Sequence, residues 1–237
     1  MFPGPFFYFP FFFIVIFIFF LIVFFLFGLI KIGAIVIAFS KLGLSGWQVF
    51  WLLILTLIGS GINLPLLKRE LKVYSLELDV DPFFRPFFRH VRPYPYDFMT
   101  KHEQVIALNI GGGLIPLLLS IYFIFQIGVT INLGICFLIV AFVCYKLARP
   151  IAGVGIGIPF LIPPLVTVLV TWLFAPKDIA PQVAYISGTL GTLIGADVLH
   201  LLDPREQDKL VSPVLSIGGA GTFDGIFLCG ILAVLFA

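Results

Sequence analysis

The sequence predicts an all-α integral membrane protein of about seven transmembrane helices, several of them interrupted by glycine and proline. The 237 residues are 61% hydrophobic and only 11% charged, a composition far from that of soluble globular domains. The mean hydropathy is +1.17, and long apolar runs recur from the start of the chain to its end. We therefore expect one polytopic membrane domain over residues 1–237.

Seven segments each hold about the 20 apolar residues that one crossing of a bilayer requires. The first begins in MFPGPFFYFPFFFIVIFIFF, which has no basic start, and it is too long for a signal peptide, so we expect it to be retained. Residues 31–45 are too few to cross and are expected to lie at the interface or to extend the first helix. The predicted spans are residues 8–30, 46–67, 104–125, 129–146, 153–175, 181–202 and 216–237.

One polar insert, residues 68–103, separates the second and third predicted spans. Its segment KVYSLELDV alternates apolar and polar residues, which predicts a short half-buried β-strand. The tandem PFFR repeat that follows contains too many prolines for a long helix, and its arginines can reach lipid phosphate. The insert is therefore expected to be a cytoplasmic interfacial loop that covers the mouth of a cavity.

The distribution of positive charge orients the predicted helices. Seven spans place eleven of the 14 lysines and arginines on the side of the amino terminus and the 68–103 insert. By the positive-inside rule this side is cytoplasmic, which predicts a cell-membrane protein with a cytoplasmic amino terminus. The net charge of +2 does not favour nucleic-acid binding. The expected partners are membrane lipids and either a transmembrane-helix substrate or a small solute.

Two aspartates interrupt the last two apolar spans: Asp197 in GTLGTLIGADVLHLL and Asp224 in GAGTFDG. A charged side chain near the bilayer centre costs on the order of 3 kcal/mol, so such residues usually serve a function. At a rise of about 1.5 Å per residue, both lie roughly 7 to 12 Å from the cytoplasmic ends of their helices. The further candidates for a polar cavity at this depth are Asn63, Asn109, His200, Gly221 and Gly225.

Glycine and proline cluster in the same layer, in GSGINLP, NIGGGLIP, GVGIGIP and SIGGAG. One interpretation is that these runs break helices around a water-filled cavity, where freed backbone groups can be satisfied. The other is that the glycines only allow helices to pack closely.

A pair of aspartates at one depth permits aspartyl-protease chemistry, because two close carboxyl groups share one proton and can activate water. The arrangement of Asp197 and Asp224 on successive spans resembles the presenilin and signal peptide peptidase group of intramembrane proteases, which implies that both are catalytic. The chain departs from that group in two respects. The second aspartate lies in GAGTFDG and not in a GxGD turn, and no later span carries a proline-alanine-leucine element.

Two other functions use the same residues. In a proton- or ion-coupled transporter the aspartates carry the ion while Asn63 and Asn109 bind substrate. In a membrane scaffold or assembly subunit the aspartates are protonated and fix helix register. Metal binding is not expected, because on one helix His200 and Asp203 point too far from Asp197 to share an ion. No cofactor is predicted.

Several long motifs occur in a fixed order: GSGINLPL, NIGGGLIPLLLSIY, YKLARPIAGVGIGIPFLIPPL, VAYISGTLGTLIGADVLHL and SIGGAGTFDGIFLCGILAVL. As a set they resemble a family of bacterial and archaeal multi-pass membrane proteins, the domain of unknown function 1614. The resemblance covers residues 59–237 and leaves out the phenylalanine-rich start. It implies a membrane location and assigns no catalytic residue.

Overall fold

The computed structural model describes residues 17, 28, 32–71, 102–151, 155–159, 161–206, 210, 212–219 and 225–237. Most of these residues are helical. The helices are α1 (Ile32–Lys41), α2 (Gly46–Gly59), α3 (Ile115–Ile127), α4 (Ile131–Leu147), α5 (Ile162–Phe174), α6 (Ala180–Thr192), α7 (Leu199–Leu202) and α8 (Gly225–Phe236). The strands are β1 (Asn63–Leu71), β2 (His102–Asn109), β3 (Arg149–Ile151), β4 (Gly155–Gly157) and β5 (Val214–Ile217).

Two π-helical segments complete the helices. The first π segment, Ile110–Leu114, leads directly into α3, and the second, Leu193–Val198, joins α6 to α7. In a π-helical segment each backbone hydrogen bond spans five residues instead of the four of an α-helix, and such segments occur often at functional sites. Both of these segments lie in the part of the bundle that carries the sheets.

The prediction of an all-α fold is wrong, because the structure contains two β-sheets. The three-stranded sheet has the order β1–β2–β5, with β1 antiparallel and β5 parallel to β2. Strands β3 and β4 form a second, antiparallel sheet. An apolar run cannot be assigned to helix or strand by its periodicity alone, and several predicted spans each combine a strand with a shorter helix.

The glycine-rich runs lie where strands meet helices. GSGINLP ends α2 and begins β1, while NIGGGLIP ends β2 and begins the first π segment. GVGIGIP contains β4 and precedes α5, and SIGGAG ends β5. The runs therefore lie where helices end or begin, and the neighbouring segments include β-strands, which the predicted all-α spans did not contain.

The prediction of about seven spans is also wrong for the part of the chain that the structure describes. By length and composition, two helices there can cross a membrane: Ile110–Ile127 with 18 residues and Ala180–Leu202 with 23. A third crossing is available if α1 and α2, bent by 117° at their junction, act as one span. Helices α4 and α5 are apolar but shorter. Most of the predicted first span and the KVYSLELDV strand lie outside the described residues.

Helix α6 forms the centre of the bundle. Every residue from Val183 to Thr189 is buried, and α6 packs against α3, α4, α5 and α8. A helix that is buried on all sides needs small residues where its neighbours approach. Gly195, in the second π segment, illustrates this need, because a Cβ there would collide with the backbone of Ala141 in α4. The Ser120 and Thr189 hydroxyls, 2.8 Å apart, join α3 to α6 inside the core.

The chain order places both sheets at one end of the bundle. Short turns join α3 to α4 and α5 to α6 at the other end, whereas α2, α4 and α7 are followed by strands. We call these the sheet end and the turn end. A small cluster of Leu201, Leu210 and Leu215 packs the sheets against α7.

Candidate functional site

A cavity of about 440 Å³ lies at the sheet end. Its wall comes from both sheets, from the second π segment and from the start of α8, so it lies where the helices end and the strands begin. Most of the wall is apolar, with a few polar groups that face one another. The lining residues are Asn63, Gly155, Ile156, Ile158, Thr192, Ala196, Asp197, Leu201, Val214, Leu215, Ser216, Gly219 and Ile226.

Asp197 provides the carboxylate of this cavity. It lies in the second π segment and is partly buried, and its Oδ2 accepts a hydrogen bond of 2.7 Å from the backbone N–H of Gly218. Gly218 follows β5 with φ +88°, in the left-handed region that glycine tolerates. A Cβ at Gly218 would lie 2.5 Å from the backbone nitrogen of Gly113, so the position also requires a residue without a side chain.

Asn63 and Asn109 face each other across the antiparallel pair β1 and β2. The Asn109 amide donates to the carbonyl of Ser60 at 2.8 Å and to Asn63 Oδ1 at 3.1 Å. Its own Oδ1 accepts from the N–H of Gly112 at 2.8 Å, which caps the first π segment. Asn109 is fully buried with every amide group bonded, so its role is to hold the strands and the π segment together.

Asn63 has a different position, because it lines the cavity. The Ser216 hydroxyl of β5 lies 2.6 Å from Asn63 Oδ1 and 2.9 Å from the carbonyl of Gly219. The two side chains therefore present a polar surface to the cavity that also holds Asp197. The sequence prediction that Asn63 and Asn109 contact a substrate remains untested.

His200 is buried and does not belong to the cavity wall. Its Nδ1 lies 3.2 Å from the carbonyl of Gly195, and its Nε2 lies 3.4 Å from Glu206 Oε2. Its ring packs against that of Tyr145 at a centroid distance of 4.8 Å. The histidine thus ties the end of α7 to the second π segment, close to Asp197 in sequence but away from the cavity.

Asp203 is the C-cap residue of α7, the helix that contains His200. It accepts hydrogen bonds of 2.9 Å from the backbone N–H of Arg205 and from the hydroxyl of Tyr145, and these donors hold the pKa of its carboxyl below the ordinary value. Asp203 and His200 thus each have partners other than Asp197. Among the described residues, no three or more histidine, cysteine or acidic side chains are placed to hold a metal ion.

Two of the predicted site residues, Asp224 and Gly221, lie outside the described residues. Gly225 is the first residue of α8, and Ile226 after it lines the cavity. The predicted pairing of Asp224 with Asp197 is therefore untested.

Sequence reasoning missed Thr192 and Ser216 in the wall and Gly218 beside the carboxylate. Ser216 and Gly218 lie in the SIGGAG run, for which the sequence predicts a helix. Thr192 also connects the wall to two buried thiols, since its hydroxyl lies 3.7 Å from Cys144 Sγ and 3.6 Å from Cys229 Sγ.

Comparison with known families gives a match. The model of the family described as Protein of unknown function (DUF1614) matches residues 57–236. No curated protein and no solved structure matches the chain. The similarity to the presenilin group thus gains no support, while the match covers well over half of the chain, including the strands, the cavity and both aspartates.

Proposed function

The chain belongs to the DUF1614 family, which assigns no activity, and from the cavity beside Asp197 we propose that it is an intramembrane aspartyl protease with Asp197 and Asp224 as its acid pair. One observation carries the proposal: a partly buried carboxylate faces a cavity of about 440 Å³ from a helix long and apolar enough to cross a membrane. Such a position is costly for an unused carboxylate.

In the proposed reaction one carboxylate is ionised and the other is protonated. The ionised group takes a proton from a water molecule, whose oxygen attacks the scissile carbonyl, while the protonated group donates a hydrogen bond to the carbonyl oxygen. The tetrahedral intermediate then breaks its C–N bond, and a proton passes from the pair to the leaving nitrogen. The products are one carboxylic acid and one amine, and the pair returns to its shared-proton state.

The hydrogen bond from the Gly218 N–H favours Asp197 as the ionised carboxylate of the proposed acid pair. A backbone donor at 2.7 Å favours the charged form of a carboxylate and fixes its orientation. An ionised carboxylate offers about four lone-pair positions, of which the bond from Gly218 uses one. Asp224 is proposed as the protonated partner.

We place the protein in the cell membrane with the sheet end toward the cytoplasm. Lys68, Arg69, Lys146, Arg149 and Arg205 lie at the sheet end, against Lys41 and Lys177 at the turn end, which favours this orientation by the positive-inside rule. The proposed partners are membrane lipids and a transmembrane-helix substrate. The orientation of the amino terminus remains a prediction, since residues 1–31 apart from 17 and 28 lie outside the described part.

The test is cleavage of a reporter transmembrane segment by the purified protein in lipid vesicles. Cleavage by the wild type that is lost in Asp197→Asn and in Asp224→Asn alike supports the acid pair. Cleavage that persists in either variant, or none by a folded wild type over a panel of reporter segments, contradicts the proposal.

A second candidate is proton- or ion-coupled transport, and one observation favours it. A row of buried thiols and hydroxyls leads from the cavity into the bundle, because Cys229 Sγ lies 3.6 Å from Thr192 Oγ1 and 3.7 Å from Thr167 Oγ1. Groups with exchangeable hydrogens in a row can pass a proton. Vesicles that contain the protein, lack reporter cleavage and show a proton flux abolished by Asp197→Asn would favour this function over the protease.

A further inference from the structure

Two strand edges border the cavity. β5 is an outer strand of the three-stranded sheet, and β4 is an outer strand of the two-stranded sheet. Val214, Leu215 and Ser216 of β5 all line the cavity, as do Gly155 and Ile156 of β4. Consecutive strand residues point their side chains to opposite faces, so a cavity bordered by three in a row lies along the edge of the strand.

The hydrogen bonds of β5 show which backbone groups face that edge. The N–H of Val105 in β2 donates to the carbonyl of Pro213 at 2.9 Å, so Pro213 faces β2. Since the N–H and C=O of successive strand residues alternate in direction, those of Val214 and Ser216 point away from β2. The Val214 carbonyl accepts from the Ser212 hydroxyl and the Ser216 carbonyl from the N–H of Gly219.

On β4 the corresponding residue is Ile156. It lies opposite Pro150 of β3, which has no N–H to donate, whereas the neighbouring pairs Arg149–Gly157 and Ile151–Gly155 can bond across the hairpin. The backbone groups of Ile156 therefore point away from β3. Within the described residues, neither this edge nor that of β5 is paired with another strand.

The size of the cavity suits a short extended peptide. Three residues of a strand, with a rise of about 3.3 Å, a strand spacing of about 4.8 Å and a layer about 10 Å thick, occupy roughly 480 Å³. The cavity holds about 440 Å³. Strands β4 and β5 both contact the second π segment, so a peptide between them passes next to Asp197.

We propose that the substrate segment binds as an extended strand between the edges of β4 and β5, with its scissile carbonyl facing Asp197. This inference rests on the proposed protease function and adds the form in which the substrate is recognised. The backbone N–H groups of Val214 and Ser216 bond substrate carbonyls. Binding therefore depends first on an extended substrate backbone and only second on the identity of the substrate side chains. The substrate class is then a membrane segment that unwinds readily near the cleaved bond, such as one with glycine or β-branched residues there.

The test uses the full chain with Asp197→Asn in phosphatidylcholine nanodiscs, so that binding is measured without cleavage. The probe is a lysine-flanked peptide of alternating leucine and alanine with one central glycine, which carries a ¹³C=¹⁸O label. Isotope-edited infrared spectra of the bound probe report directly whether the labelled residue is helical or extended. We expect saturable binding and an extended signal at the label.

Two proline variants locate the bound strand. Val214→Pro removes an N–H that points to the cavity and should weaken probe binding up to about tenfold, as expected for the loss of one hydrogen bond. Leu66→Pro is the matched control: Leu66 lies at the irregularity of β1, on the opposite edge of the same sheet, and should leave binding within about twofold.

A helical label in the bound probe, unchanged binding in Val214→Pro or no saturable binding overturns the inference. Its failure can be separated from that of the proposed function by wild-type cleavage of the same peptide. Cleavage together with a helical label overturns the strand mode and leaves the protease. An extended label with no cleavage by the wild type overturns the protease and leaves a peptide-binding site.

Discussion

The two ends of the helical bundle differ in how they satisfy their backbone groups. At the turn end, side chains of neighbouring helices bond the last carbonyls: Lys41 Nζ lies 2.9 Å from the carbonyl of Leu235 and Trp172 Nε1 lies 2.8 Å from that of Phe236. The Asn132 amide bonds the carbonyl of Phe174 in the same way. The last carbonyl groups of a helix have no hydrogen-bond partner within that helix. At this end side chains from neighbouring helices supply the missing donors.

At the sheet end the helices run into strands and π segments, and the strands leave two edges beside a cavity. The polar side chains of Asp197, Asn63 and Ser216 face that cavity, whereas those of Lys41, Trp172 and Asn132 at the turn end bond helix termini. The difference indicates a division of roles. The turn end holds the helices in place, and the sheet end carries the proposed chemistry.

The largest expected effect is that of Asp197→Asn on cleavage. Removal of a general acid or base lowers rates by about 10²- to 10⁴-fold, and we expect a loss of that size in the reporter assay. The fold should persist, because the asparagine Oδ1 can still accept from the N–H of Gly218. Asp203→Asn, six residues later and outside the cavity wall, is the control and should stay within about twofold. An equal loss in both variants would contradict the assignment.

Two glycines with positive φ, one at each end, provide the next comparison. Gly128 has φ +74°, and a Cβ added there would meet open space, so Gly128→Ala should cost only the conformational strain of about 1–3 kcal/mol. Gly218→Ala adds a collision with the backbone of Gly113 and should cost more than Gly128→Ala. Denaturation in mixed micelles measures the free energy of unfolding of both variants.

The same two glycine variants also distinguish an effect on stability from an effect on cleavage. Gly218→Ala should also lower cleavage about tenfold at a temperature where the protein is folded, because its N–H moves away from Asp197. Gly128→Ala should not change cleavage. If the turn-end variant lowers cleavage as much, the two ends do not have the separate roles assigned to them.

A smaller effect is expected from Lys41→Met at the turn end. Lys41 bonds a carbonyl at the end of α8, where a positive charge contributes about 0.3–1 kcal/mol. We expect a stability loss in that range and unchanged cleavage. Lys177→Met, an exposed lysine at the same end, is the matched control with a change below about 0.5 kcal/mol. Equal losses in the two variants would show that the contact with the Leu235 carbonyl contributes nothing.

Part of this fold could be predicted from the sequence. The predicted spans 129–146 and 181–202 coincide in position with α4 and with the helix from Ala180 to Leu202, because both stretches are predominantly apolar over the length of a helix, although α4 is one of the shorter apolar helices. The family resemblance is confirmed by the match over residues 57–236. The strands were not predicted because the apolar residues of β1, β2 and β5 lie next to apolar helical stretches in the sequence, and periodicity alone does not separate a short strand from the helix beside it.

The candidate site could likewise be predicted only in part. Asp197 could be found from the sequence because a carboxylate in an apolar helix is costly and therefore conspicuous. Its contact with Gly218 could not, since the two lie 21 residues apart and meet only because β5 pairs with β2. Likewise Asn63 and Asn109 looked alike in the sequence, but Asn109 is buried in the central strand of the sheet, whereas Asn63 in an outer strand lines the cavity.

The smallest expected effect is the pH response of the Asp203 turn, which closes the helix carrying Asp197. The Arg205 N–H and then the Tyr145 hydroxyl lower the pKa of Asp203 in the folded state, so these contacts stabilise the turn above the ordinary carboxyl pKa. That contribution is lost as the pH falls through the lowered value, when the protonated carboxyl accepts these bonds less well. Hydrogen exchange at the Arg205 N–H should therefore lose protection in that acidic window in the wild type, whereas Asp203→Asn should show no such step. A step that persists in Asp203→Asn would assign the transition to a group other than Asp203.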